Sequence, residues 1–263
     1  MNILDKIVLR KREEVASAKA QTSIATLEAE PAFGRQTYSF RQFLLDPERT
    51  GIIAEFKRRS PSKGLINGTA SVEEVTSAYA QAGASALSIL TDIDFFGGHS
   101  RDLRAGRGVN TIPILRKDFM IDEYQILEAK AMGADVILLI ASILSPAEIS
   151  AFAKLAKSIG LHVLLEVHNL EELQKSVDVN VDAVGVNNRN LADFTVNIQT
   201  SFDLVDQIPS DFLKISESAI SNPLTISQLR KAGFNGFLIG ENFMKTDAPG
   251  AAMQQFVREL ISV

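Results

Sequence analysis

The chain has 263 residues, 46% hydrophobic and 22% charged, with a net charge of −5, 16 glycines and no cysteine or tryptophan. This balance is too apolar for a disordered chain and too acidic for a general nucleic-acid binder, and its length allows two small domains or one large α/β barrel. Without cysteine there is no thiol catalysis, zinc–thiolate site, iron–sulfur cluster or disulfide, and three histidines (His99, His162, His168) speak against a His-rich metal site.

In chain order, residues 1–8 are apolar but interrupted by Asp5 and Lys6, and residues 10–14 form a dense charge run. No targeting segment is read there. Ile3, Leu4, Ile7, Val8 and Val15 mark an amphipathic helix, and Phe40, Phe43 and Leu44 a second, short one closed by Pro47. Fifty residues with two helices make a marginal core alone. Residues 1–50 are therefore read as an N-terminal helical extension packed on a single domain that takes in the whole chain, 1–263. The longest apolar run, 136–141, falls far short of the ~20 residues of a membrane span, so a cytoplasmic protein with no membrane partner is expected.

From residue 51 onward short apolar runs alternate with amphipathic stretches. The runs are 51–56, 86–90, 113–115, 135–140, 162–166, 183–186, 212–215 and 236–239. Several are apolar at consecutive positions, as strands buried on both faces are. Helical spacing appears between them, in Val72, Val75, Tyr79 and Ala82, and again in Ile226, Leu229 and Ala232. Gly83, Gly133, Gly160 and Gly233 stand where such helices stop, as left-handed caps require. Eight strands alternating with helices predict a (β/α)8 TIM barrel. An open doubly wound sheet is the main competitor, but no Gly-x-Gly-x-x-Gly turn follows the first strand.

Chemistry in such a barrel sits at the carboxyl ends of the strands. Six of the eight runs finish there in polar residues: Glu55 and Lys57, Lys117, Glu166, Asn187 and Arg189, Glu217 and Ser218, and Gly240-Glu241. A packed interior does not tolerate so many charges unless they pair or meet an anionic ligand. Lys57, Lys117 and Arg189 around one mouth point to an anionic small molecule. Glu55, Glu166 and Glu217 lower the cost of burying the lysines and are able to move protons. A lysine beside carboxylates stays protonated as a general acid; one desolvated beside other cations becomes a Schiff-base nucleophile. The sequence leaves both open. Backbone N–H groups at Ser218-Ala219 and Gly240-Glu241, with Ser60 and Arg189, suit a phosphate. The pair Phe95-Phe96 could wall an aromatic ligand. Strand alternation splits the basic run 57–59, since Glu55 and Lys57 share a face, which weakens a polyanion-binding reading.

Ile53-Ala54-Glu55-Phe56-Lys57-Arg58-Arg59-Ser60-Pro61-Ser62-Lys63-Gly64 resembles the first signature of the indole-3-glycerol phosphate synthase family. Leu115-Arg116-Lys117-Asp118-Phe119, Leu165-Glu166-Val167-His168, Val186-Asn187-Asn188-Arg189 and Ile215-Ser216-Glu217-Ser218 resemble its others, in order and spacing. The resemblance spans essentially the whole chain. It implies a barrel that turns 1-(2-carboxyphenylamino)-1-deoxyribulose 5-phosphate into indole-3-glycerol phosphate, CO2 and water in tryptophan biosynthesis, with no cofactor and no metal. It further implies Lys117 as general acid and Glu166 as general base, and Lys57, held by Glu55, on the substrate carboxylate and in the dehydration. Asn187, Glu217 and Ser218 would orient these groups. Ser60, Arg189 and Gly240-Glu241 would hold the phosphate, with Phe119 also in the substrate site.

The chain departs from the family pattern at Ala219, where a glycine is usual, at Glu241-Asn242, and in the loop Gly97-Gly98-His99-Ser100. The Glu241 carboxylate would repel phosphate, so only its backbone N–H is expected to contribute. Two rivals are another phosphosugar barrel, such as phosphoribosylanthranilate isomerase, and a catalytically dead barrel kept for binding. The missing cysteine weighs against the first, and the full Glu55, Lys57, Lys117 and Glu166 set against the second.

Overall fold

The computed structural model describes residues 2–190 and 194–262. Eight strands, β1 (Ile52–Phe56), β2 (Ala86–Leu90), β3 (Ile114–Lys117), β4 (Val136–Ile140), β5 (His162–Val167), β6 (Ala183–Asn187), β7 (Leu213–Glu217) and β8 (Gly236–Ile239), pair in chain order into a closed barrel. Every pairing is parallel, and Ile53 opposite Leu238 closes the ring between β1 and β8. The predicted barrel is thus the observed fold, and the open sheet is excluded.

Alternation explains why the strands are apolar on both faces. Ile52, Ala54 and Phe56 of β1 face outward into the layer between barrel and helices, a core shared with Leu87, Ile89, Ile137, Leu139, Val184 and Val186. Ile53, Leu115, Leu138, Leu164 and Ile215 face the barrel axis. The inward row changes from aliphatic to ionisable towards the carboxyl ends. Strands β3, β6 and β7 run through Lys117, Asn187 and Glu217, two residues or one beyond where the apolar runs stop. Ladder hydrogen bonds continue there although hydrophobicity has ended.

Around the barrel run α4 (Val72–Gln81), α5 (Ser100–Val109), α6 (Glu123–Met132), α7 (Pro146–Ser158), α8 (Leu170–Ser176), α9 (Gln199–Leu204), α10 (Pro223–Ala232), α11 (Glu241–Met244) and α12 (Pro249–Ile261). Gly133 (φ 91°) and Gly233 (φ 110°) cap α6 and α10 in the left-handed conformation, as the sequence indicated.

The described residues among the first fifty hold three helices rather than the two expected: Ile3–Gln21, Ile24–Glu28 and Phe40–Leu45, which precede α4 and are labelled α1, α2 and α3. Helix α2 is too short to show a period and is announced only by Ser23, whose side chain accepts from the Thr26 N–H. Leu27 packs against Tyr124 and Ala131 of α6. Phe40 and Leu44 of α3 join the inward-facing barrel residues and fill its amino-terminal end. Among the described residues no helix is long and apolar enough to cross a membrane.

Candidate active site

At the carboxyl end of the barrel two lysine–carboxylate groups face each other. Lys57 Nζ lies 2.7 Å from Glu55 Oε1, and Ser88 Oγ donates to Glu55 Oε2 at 3.4 Å. Gly240 makes room for this carboxylate, because a Cβ there would sit 2.5 Å from Glu55 Oε1. Lys117 Nζ stands 2.8 Å from Glu166 Oε2 on β5 and 3.3 Å from Glu217 Oε2 on β7. Gly185 of β6 plays the same part here, since a Cβ on it would overlap Glu217 Oε1.

These neighbours set the protonation states. Burial opposes the charge of Lys117, but Glu166, Glu217 and Glu55 outweigh it and raise its pKa. The ammonium persists at neutral pH, the state a general acid requires and a Schiff-base nucleophile does not. Burial likewise opposes the charge on Glu166, yet Lys117, His168 and the Asn187 amide (3.1 Å) hold its carboxyl below the ordinary range. Glu217 goes the other way: burial and the nearby Glu166 and Glu55 raise it against the pull of Lys117. One ammonium shared by two carboxylates keeps Glu166 ionised and leaves Glu217 pushed up to about 7, so the two carboxyls titrate far apart.

Asn187 links strands at the rim. Its amide donates to Glu166, and its Oδ1 accepts from Ser218 Oγ and from the Arg189 N–H, both at 3.0 Å. Three cavities meet at this rim. A slot of about 120 Å³ is lined by the apolar Leu90, Phe96, Phe119, Leu138 and Ile140 together with Lys57, Lys117, Glu166 and Glu217. A cavity of about 460 Å³ beside β7 and β8 collects Lys57, Lys63, Arg189 and Lys245 around Ser218-Ala219 and Gly240-Glu241. A third, of about 560 Å³, is rich in asparagine and reaches His168 and Glu172.

Most of the residues singled out from the sequence therefore converge. Ser60 lines an adjoining space with Lys57, Ser62, Arg189 and Glu241, and its hydroxyl lies 3.4 Å from that of Ser62, which also lines the cationic cavity. The expectation that Glu241 offers only its backbone is not met. Its carboxylate lies 3.6 Å from Arg189 Nη2 and 3.7 Å from Lys63 Nζ, because two cations outweigh the preference to turn away. Of the two phenylalanines, Phe96 lines the slot, its ring centroid 5.9 Å from that of Phe119, whereas Phe95 does not.

His99 caps α5 by accepting from the Arg101 N–H, and Gly98 is required because a Cβ would overlap the Leu90 carbonyl. The departing loop is thus a structural variant. Sequence reasoning missed Lys245, which no pattern announced. It also named no role for His168, whose Nε2 lies 3.4 Å from Glu166 Oε1 and whose Nδ1 lies 3.0 Å from Glu172. Burial disfavours its charge, but Glu172, Glu166 and Glu217 hold its pKa above that of free imidazole. Its place one period beyond Glu166 on an inward face was the available signal. Among the described residues no group of three or more His, Asp or Glu is arranged to hold a metal ion.

A closed parallel barrel with an ammonium between carboxylates on its axis, an apolar slot beside it and a cationic cavity at β7 and β8 defines a class: barrel enzymes of acid–base chemistry on anionic small molecules. A sequence profile described as indole-3-glycerol phosphate synthase matches residues 4–260. The indole-3-glycerol phosphate synthase of Bacteroides thetaiotaomicron is 47% identical over 259 residues, covering 98% of this chain and 99% of that protein. That of Burkholderia vietnamiensis is 43% identical over 255 residues, covering 96% and 97%. The chain belongs to the indole-3-glycerol phosphate synthase family. A chain of the tryptophan synthase a2b2 complex from Pyrococcus furiosus superposes with a TM-score of 0.62 at 17% identity, over 82% of this chain and all of that one, and shares the fold alone.

Proposed function

We propose that the barrel mouth closes the indole ring of 1-(2-carboxyphenylamino)-1-deoxyribulose 5-phosphate and then expels CO2 and water, the carboxy-lyase step that leads to tryptophan. The observation that carries this reading is the ammonium of Lys117, held between Glu166 and Glu217 where it lines the apolar slot. An aromatic carbon attacking a ketone needs that oxygen protonated as charge develops, and Lys117 is a charged donor lining that slot. The aryl ring would lie along Phe96 and Phe119. Its carboxylate would meet Lys57, and the phosphate would enter the cavity of Arg189, Lys63 and the Gly240 backbone, with Ser60 at the entrance.

Loss of CO2 returns the bonding pair to the ring and restores aromaticity. Lys57, held by Glu55, would protonate the departing hydroxyl, and Glu166 would take the proton released as indole forms. Two protons go in and one comes out, so each turnover of the ionised substrate consumes one proton. Asn187, Glu217 and Ser218 orient the reacting groups. The extension and barrel are read as one domain, and the protein as a cytoplasmic enzyme, as suits a biosynthetic step on a charged phosphosugar.

Fluorescence tests the reaction directly, because a chain without tryptophan gives product indole a dark background. Emission should grow on adding the substrate and be equal with and without EDTA. No emission from protein shown to be folded would overturn the assignment.

A further inference from the structure

Within the charge run 10–14, Lys11 is 3% exposed. Its ammonium lies 2.6 Å from Glu14 Oε2, 3.0 Å from Asp92 Oδ2 and 2.9 Å from Asp118 Oδ1. Burial disfavours that charge, but Asp118, Asp92 and Glu14 outweigh it and raise the pKa. A buried ammonium is expensive, and an aliphatic residue of similar size often stabilises as well or better. The lysine therefore calls for a reason other than cohesion.

Each aspartate has a second task. Asp92 follows β2, and its Oδ1 accepts from the backbone N–H of Phe95 (2.9 Å) and of Phe96 (3.2 Å). Asp118 follows β3, and its Oδ1 accepts from the Phe119 N–H at 2.8 Å. Its Oδ2 is taken by Thr91 Oγ1 (2.6 Å) and Arg116 (3.2 Å), so Asp118 cannot turn away. The rings of Phe96 and Phe119 form one wall of the slot, tilted 39° to each other. Lys11 itself is not among the slot-lining residues. A single ammonium on α1 thus ties together the two loops that carry the slot's aromatic wall.

We propose that Lys11 is a positioning residue that fixes the spacing of Phe96 and Phe119, and so sets the affinity and selectivity of the slot for the aryl half of the substrate. The proposal rests on the reaction proposed above. It assigns the extension a part in recognising the ring, separate from the phosphate cavity at β7 and β8 and from the acid–base groups.

The test compares Lys11→Gln with the wild-type enzyme in three measurements. Substrate turnover is followed by indole emission, 2-aminobenzoate binding by the ligand's own fluorescence, and inorganic phosphate affinity by competition. The variant should raise KM and weaken 2-aminobenzoate by about tenfold, with kcat within about threefold, as expected for lost ground-state binding. Phosphate affinity should stay at the wild-type value. Unchanged KM and 2-aminobenzoate affinity would overturn the proposal. So would equal weakening of phosphate, which would mean general loosening of the mouth. Should Lys11→Gln fail to fold, Asp92→Asn decides in the same way, because it keeps the Oδ1 acceptor for Phe96 and replaces the oxygen facing Lys11 with an amide NH2 that cannot pair with the ammonium. Wild-type turnover separates the two ideas: without it the reaction itself is wrong, and with it only the role of Lys11 is in question.

Discussion

Single residues in this barrel are constrained by what stands opposite them. Gly185 and Gly240 have no side chain to offer, yet a methyl at either would displace the carboxylate that pairs with Lys117 or Lys57. Ser218 (φ 66°) and Ala219 (φ 62°) hold left-handed backbone, which costs a non-glycine residue about 1–2 kcal/mol. Strain of that kind at a ligand-facing loop is tolerated where the surroundings enforce it, here through the Ser218 hydroxyl bond to Asn187. In the proposed reaction the chemistry depends on Lys117. Replacing it with alanine removes the proton donor but leaves the apolar wall and the cationic cavity intact. Lys117→Ala should lower kcat by about 10³-fold or more while KM moves only a few-fold. Steady-state assay by indole emission checks this, and a raised KM at unchanged kcat would make Lys117 a binding group instead.

At the scale of elements, the barrel is closed from below by α3 and from above by its own charged rim. Phe40 is fully buried and packs among Leu44, Ile53, Ala86 and Ile215, far along the axis from the reacting groups. Phe40→Ala should destabilise by about 3–5 kcal/mol through lost burial and the cavity left behind. Urea unfolding should show the fall, with KM unchanged in the protein that remains folded. Strands and cap glycines were legible in the sequence because burial on both faces and left-handed caps each leave a local mark. Elements defined by distant partners were not: α2 is a five-residue turn against α6, and Lys11 looks like any other member of a charge run until Asp92 and Asp118 close on it. The same division holds in the candidate site. The polar residue types at the strand ends were readable, since the barrel rule alone brings them to one rim. The turn of the Glu241 side chain towards Arg189 and Lys63, the placing of Ser60 in the space beside Arg189, and the approach of His168 to Glu166 depend on loop paths that no local pattern encodes.

For the molecule as a whole, the opposed carboxylates make stability depend on pH in two directions. Asp118, Glu166 and Asp182 are held below their ordinary values in the folded state. Their contribution is full above the unfolded pKa of about 4 and is lost as pH falls through the folded values, so the acid limb of stability belongs to them. Glu217 has the reverse sign. Its raised folded pKa means that the folded protein binds the extra proton above pH ~4.3, so stability declines as pH rises from there through the folded value and then levels off. An isosteric amide has no proton to lose and still accepts from Lys117. Glu217→Gln should therefore match the wild type in urea unfolding near pH 4, and exceed it at pH 8, while turnover falls. A variant less stable than the wild type at pH 8 would show that Glu217 is an ordinary ionised partner of Lys117. The expected result places an energetic cost at the carboxyl that burial penalises once its proton is lost, beside the ammonium proposed to deliver one.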